Sequence, residues 1–249
     1  MNRIFILIFF ITNIFADVMY EMERTSQGFT LMEEEMTLIR NFIKGDLMRT
    51  EIKTKTSITE EVEKIMILRP DKGIVWIIDN EHKEYSEFPL KSDSTEVQTA
   101  KISEILSEIK IEKLKESKEI LKINCDKYTV SLTYKSDNDT IEMLQTMWVG
   151  KDFVGYDEIM GFNKKMLNTI NFPSIPCIDN KIIKEFQKSI SEIDGFPLEL
   201  ELNLKMQNHE LDISLLTRNI VKKISTVPIS NKVFEIPEGY QLNTSVKTN

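Results

Sequence analysis

Residues 196–206 read FPLELELNLKM, and their side chains change character with a period of two: Leu198, Leu200, Leu202, Leu204 and Met206 fall on one side, Glu199, Glu201, Asn203 and Lys205 on the other. In an extended chain successive side chains point to opposite faces, so this stretch is predicted to be a strand with one buried face. Such a strand needs neighbours to pair with and a cover for its oily side. The alternation does not say what the cover is. A closed core and a dry cavity that accepts an alkyl chain ask for the same side chains.

Similar patterns recur along most of the chain. "LIRNFIKGDLMRTEIKTK" reads as a hairpin turning at Gly45-Asp46, a register that sets Arg40 opposite Glu51 and Phe42 opposite Arg49. Ile39, Ile43, Met48 and Ile52 then share the other face. Met32, Met36 and Leu38 favour the opposite parity, which predicts a bulge or twist within the first strand, a bulge there turning Glu34 to water. A second hairpin turns at Pro70-Asp71-Lys72-Gly73 between "IMIL" and "IVWII". Both runs are apolar on each face and are expected to be covered twice. "INCDKYTVSLTY", "TIEMLQTMWVG", "LDISLLTRNIVKKIST" and "KVFEIP" add further strands. The total is about eight to eleven in one antiparallel sheet, wide enough to curl.

Three amphipathic segments break the strand pattern and are predicted helices. The first follows Asp93 and Glu96 and shows Val97, Ile102, Ile105, Leu106 and Ile109. The second runs from about Asp157 to Thr169 with Ile159, Phe162, Met166 and Leu167. The third opens at Asp179 and shows Ile183, Phe186, Ile190 and Ile193 at helical spacing. Each has a polar back and so lies on a surface.

The first sixteen residues, MNRIFILIFFITNIFA, place Arg3 before an apolar run, which reads as a secretory signal cleaved before Asp17. Residues 17–249 are then expected to form one domain, exported to a periplasmic or extracellular space and monomeric. Loss of Arg3 takes the formal charge from −8 to −9. That balance argues against nucleic acid, which requires a basic footprint. The lysine-rich stretch at 110–122 is interleaved with Glu112, Glu116 and Glu119 and reads as a solvated strand or helix face. In an oxidising space Cys125 and Cys177 are expected to form a disulfide, worth roughly 4 kcal/mol in the chain-entropy picture. Two unpaired thiols, or a bond to another chain, are the alternatives.

Nothing points to an enzyme. His82 and His209 are far apart and flanked by charges, and no nucleophile elbow, His-Glu-x-x-His, phosphate loop or zinc-spaced cysteine pair is present. No cofactor or metal is expected. Carboxylates are too many and too scattered to locate an acid/base pair. Twelve methionines, several beside large aliphatics, suit either a core or an adaptable apolar site.

"DKGIVWIIDNEHKEY", with Gly73, Trp76, Asp79 and Tyr85, resembles a hairpin of the LolA/LppX-like lipoprotein-carrier superfamily. "NCDKYTV" (Cys125, Tyr128) and "SNKVFEIPEGYQL" (Phe234, Pro237, Gly239, Tyr240) look closer to an exported branch of it, the domain of unknown function 4412 type. The resemblance implies an α+β fold in which a strongly curved antiparallel sheet, a half-barrel, has its concave face covered by helices over an apolar cavity. It implies binding or carriage of a lipid, an acyl chain or a lipidated partner. The other reading is an envelope sensor or scaffold whose core is self-filled and whose partner is an envelope protein. The candidate cavity-lining residues are Leu198, Leu200, Leu202, Leu204 and Met206 on the strand, with Ile183, Phe186 and Ile190 on the third helix. Carriers of this type latch their lid with an early-strand arginine. The one match, Arg49, lacks the following Pro, and the hairpin register turns it away from the apolar face, so no latch is expected.

Overall fold

The computed structural model describes residues 17–27, 35–55, 62–90, 106–135, 140–166, 180–207 and 212–244. They build one open, curved sheet of twelve strands. A first meander comprises β1 (Val18–Gln27), β2 (Glu35–Lys44), β3 (Leu47–Lys55), β4 (Val62–Arg69), β5 (Ile74–Asp79) and β6 (Glu84–Pro89). A second comprises β7 (Leu106–Ile120), β8 (Ile123–Lys135), β9 (Thr140–Gly150), β10 (Phe196–Gln207) and β11 (Asp212–Thr226). The meanders join where β1 pairs antiparallel with β11, and the two-residue β12 (Gln241–Leu242) adds parallel to β6. Two helices, α1 (Tyr156–Met166) and α2 (Asn180–Ser191), lie between β9 and β10 in sequence. The protein is therefore mostly sheet, and the expected α+β balance gives way to strands.

The hairpin of β2 and β3 has the predicted register, with Arg40 opposite Glu51 and Phe42 opposite Arg49. Gly45 takes a φ of 57°, which its missing Cβ makes inexpensive in a two-residue turn. The bulge expected in β2 does not occur among the described residues, where pairing from Met36 to Lys44 is regular. Met36 consequently faces away from Ile39 and is 49% exposed; Met32 and Glu34 lie outside the described residues. Register shifts fall instead at Glu21/Met22, Lys113/Ser117 and Pro197/Glu199.

Of the three predicted helices, two form; Leu167 and the remainder of the second to Thr169 lie outside the described residues. α1 buries Ile159, Phe162 and Met166, and α2 buries Phe186 with Ile190 half-buried, while Ile193, in the bend just after the helix, is buried as well. Residues 91–105 of the first predicted helix lie outside the described residues. Its last two apolar positions, Leu106 and Ile109, belong to β7, because the chain there pairs with β8. The lysine-rich stretch follows on β7, which has a neighbour on one side only. Charges along such an edge discourage a further strand from pairing. "KVFEIP" is not a strand. Asn231–Phe234 form one turn of 3₁₀-helix, capped where the Ser230 hydroxyl accepts from the Lys232 N–H, and Phe234 is fully buried.

Register carries one face of the sheet across both meanders. Leu200, Asn219, Arg24, Thr37 and Thr54 lie side by side, as do Val221, Met22, Ile39, Ile52 and Lys64. On this face α2 joins a cluster with Val130, Leu132, Tyr134, Ile141, Met143, Met147, Val149 and Leu204. α1 joins another with Val18, Tyr20, Ile43, Leu68 and Phe196. The opposite face is buried at β4 and β5, where Ile65, Ile67, Trp76 and Ile78 pack under Ile229 and Phe234 of the segment after β11. Arg69, 7% exposed, ties that segment down by donating to the Phe234 carbonyl at 3.0 Å and to Glu235 at 2.7 Å. The two apolar runs of β4 and β5 are thus covered on both sides only at one end, where Leu68 is buried in the α1 cluster with Val75 packed against it. Met66 and Ile77, on the helix-bearing face, are 36% and 43% exposed.

Candidate functional site

The alternating leucine strand is β10, and its leucine row divides. Leu198, fully buried, lies at the bulge and joins the α1 cluster. Leu204, 9% exposed, joins the α2 cluster. Leu200, Leu202 and Met206 are only half-buried at the margin of that cluster. Phe186 is buried against the row and Ile190 half-buried; the side chain of Ile183 is outside the described set. The structure therefore brings seven of the eight predicted residues to packed positions around the two helices.

Beside this row the wall is not wholly apolar. Gln145, opposite Leu202 on β9, is 7% exposed and its Nε2 donates to the sulfur of Met147 at 3.0 Å. Asn41 and Thr50, opposite each other on β2 and β3, are buried, and the Thr50 hydroxyl donates to Asn41 Oδ1 at 2.9 Å. Asn41 Nδ2 has no partner, an unmet donor that burial makes costly. Neighbouring Tyr20 is held protonated, burial pushing its phenol well above the ordinary tyrosine range. None of these polar positions stood out in the sequence, where they occupy apolar-parity slots in ordinary strand patterns.

Cys125 is a free, fully buried thiol whose S–H donates to the Ile123 carbonyl at 3.4 Å, and burial raises its pKa. Its expected partner, Cys177, lies outside the described residues. Arg49 faces away from the helices, as its register predicted, and bonds Glu51 at 2.8 Å and the Val233 carbonyl at 3.2 Å. His82 sits exposed in the turn after β5 with Nδ1 2.9 Å from Asp79 Oδ2; His209 is outside the described residues. Among the described residues no group of three or more His, Cys, Asp or Glu side chains could hold a metal ion.

The sequence reading missed a cleft of about 830 Å³ at one end of the sheet. It is lined by the β7–β8 turn (Leu121, Lys122), the start of β8, Lys151–Val154 after β9, Asp194 before β10, and Lys222–Ile224 of β11. None of the eight predicted residues lines it. Tyr128 and Val149 line it and also belong to the α2 cluster, so the cleft adjoins the apolar face. Leu121, Lys122 and Asp152 have φ of 52°, 64° and 55°, a left-handed backbone that costs a non-glycine residue about 1 kcal/mol or more. The turn carries no Gly, Asn or Asp to flag it, which is why sequence patterns pass over it.

The described residues thus form a single open curved sheet with two short helices over part of one face, a returning segment over part of the other, and a mixed cleft at one end. The chain belongs to the family called Domain of unknown function (DUF4412), whose model matches residues 19–240. Among solved structures it is similar to a protein domain assigned to outer membrane lipoprotein sorting from Vibrio parahaemolyticus, at 12% identity and a TM-score of 0.22, covering 88% of this chain and 89% of that one. A DUF1329 family protein from Desulfovibrio piger is similar at 10% identity and a TM-score of 0.21, covering 88% and 90%. No curated protein matches the chain.

Proposed function

We propose that this is an exported, non-enzymatic protein that holds a lipid, or the acyl chain of a lipidated partner, against the helix-bearing face of its sheet, that face being the concave one. The observation that carries the proposal is the extent of the apolar face beyond its cover. Leu200, Leu202, Met206 and Leu215 are half-buried beside α2, and farther across the same face, beyond the polar row of Asn219, Arg24, Thr37 and Thr54, Met66 and Ile77 have more than a third of their surface open. Apolar surface left open in this way stabilises the bound state of any alkyl chain laid on it, by about 25 cal/mol for each Å² covered.

The test is extraction of protein purified from its native host, followed by titration of the stripped protein with dodecanoate. Bound lipid in the extract and a rise in Tm on titration are expected, and both should be lost in Leu202→Glu, which sets a charge in the half-buried part of the row.

A second reading, a sensor or scaffold working through its outer surface, is favoured by one observation: Ile159, Phe162 and Leu198 are already buried against one another by the chain itself. A clean extract with no Tm response would select it.

A further inference from the structure

We propose that the end cleft is a second binding site, which takes the head of an anionic amphiphile: a phosphate or carboxylate carrying an alkyl tail. The cleft is in the size range of small-molecule sites, roughly 300–1,000 Å³, at about 830 Å³. Four lysines line it, Lys122, Lys151, Lys222 and Lys223, against three carboxylates, Asp126, Asp152 and Asp194. Most of these charges are already spent. Lys151 bonds Asp194 at 2.5 Å, Asp126 is held by Lys113 at 2.6 Å, and Lys222 pairs with Glu23 at 3.2 Å. Lys122 and Lys223 have no ion-pair partner among the described residues. Against the single unpaired Asp152 they leave an excess of positive charge, in a chain whose net charge is −8.

Beside these two cations the cleft offers apolar surface. Leu121 and Val154 stand at its rim 42% and 71% exposed, with Ile123, Phe153 and Ile224 lining the cleft alongside them. Leu121 is doubly unfavourable where it stands, because a large aliphatic side chain is open to water on a left-handed backbone. Asn-Gly at this two-residue turn would remove both costs. A turn kept in the unfavourable form has its compensation in what the leucine touches when the cleft is filled. The combination of two unspent cations and an exposed aliphatic rim fits an anion with a tail, and fits neither a neutral lipid nor an inorganic ion alone. The site stands whether or not the face under α2 also takes a chain.

The test uses mature protein labelled for NMR and titrated below the micelle concentration with dodecyl phosphate and, separately, with dodecanol. Dodecyl phosphate is expected to shift amides at 121–124, 151–154 and 222–224, and to bind several-fold more weakly at about 0.5 M than at about 0.05 M salt. Lys122→Gln combined with Lys223→Gln, both solvent-exposed changes that leave the fold intact, should weaken it five- to tenfold and leave dodecanol unchanged. Leu121→Asn with Lys122→Gly should raise Tm while weakening dodecyl phosphate binding. Equal affinity in all three proteins, or shifts confined to β10 and α2, would overturn the proposal. That last pattern would leave the apolar-face reading intact, just as end-cleft shifts without any response to Leu202→Glu would sink that reading and leave this one standing. Sedimentation with phosphatidylglycerol vesicles separates the sources of the head group. Capture by vesicles together with binding of the soluble phosphate supports the site; capture by vesicles alone overturns it in favour of surface adsorption.

Discussion

Between β8 and β10 the sheet buries the face that carries Leu132, Met147 and Leu204, with α2 as cover; between β4 and β5 it buries the opposite face, with Ile67, Trp76 and Phe234 at the centre. The strands themselves do not decide this. β4 and β5 are apolar on both sides; the segment that returns after β11 and is pinned by Arg69 covers one of them, and the α1 cluster reaches the other only at Leu68 and Val75. β9 and β10 alternate, so only one side can be covered, and the chain supplies two short helices for it. One region is sealed by a tail tied with buried hydrogen bonds, the other by helices that rest mainly on side-chain packing, with an exposed ion pair from Lys165 to Asp46. The second kind of cover is easier to lift, because fewer buried polar bonds must break with it.

The sharpest way to break this contrast is a pair of truncations. Phe234→Ala should lower global stability by about 3–5 kcal/mol, the usual cost of emptying a phenylalanine site in a packed core. Phe186→Ala should cost about 2 kcal/mol, since α2 can settle toward the half-buried Leu200 and Leu202 of β10. Urea unfolding at constant m measures both. Hydrogen exchange should show the second variant releasing the α2 amides alone, while the first accelerates β3 to β5 together. Equal losses, or global exchange in both variants, would mean that the two covers belong to one indivisible core.

Much of the strand half was readable beforehand. Turn chemistry at Gly45 and Pro70–Gly73 placed two hairpins, and period two set the face of β10 as far as the bulge. Local periodicity also found α1 and α2. It failed at Leu106 and Ile109, whose spacing of three suits a helix face and puts them on opposite faces of a strand, but where pairing with β8 prevails. It failed again at "KVFEIP", where a short aromatic and β-branched run packs by a single turn. The sidedness of β4 and β5 depends on a segment more than 150 residues away, and the end cleft on four separated loops and strand ends. Neither leaves a local signature.

A smaller effect distinguishes the regions by pH. Glu199, on β10 opposite Trp148, is largely buried, which pushes its pKa up. Bonds from Lys118 at 2.6 Å and Arg218 at 2.7 Å outweigh that and leave the pKa below the ordinary glutamate value. Because the folded pKa is the lower one, the stabilisation is fully present above the unfolded glutamate range and is lost as pH falls through the folded value. It should amount to on the order of 1 kcal/mol. Glu199→Gln should flatten the acid limb of stability against pH by that amount. Asp71, whose pKa is lowered chiefly by its hydrogen bond from Arg69, is half exposed, so its contribution to that limb should be smaller. An unchanged acid limb in Glu199→Gln would assign no stability to the pair of bonds.

The least disturbing change tests the bare face directly. Ile77 and Ile78 are neighbours on β5; Ile78 is 1% exposed under the C-terminal segment, whereas Ile77, 43% exposed, points to the other side. Ile77→Lys should alter the stability of stripped protein by about 0.5 kcal/mol or less, because Ile77 belongs to none of the buried clusters and the new charge stays in water. The same variant titrated with dodecanoate should lose part of the Tm rise seen in the unaltered protein, since a cation on the alkyl path must be desolvated when the chain lies down. Little cost without ligand and a clear cost with it is the signature of a surface kept open for binding. A large cost in stripped protein would show instead that this side of β5 is already covered, and the contrast between the two regions would shrink to a difference in thickness.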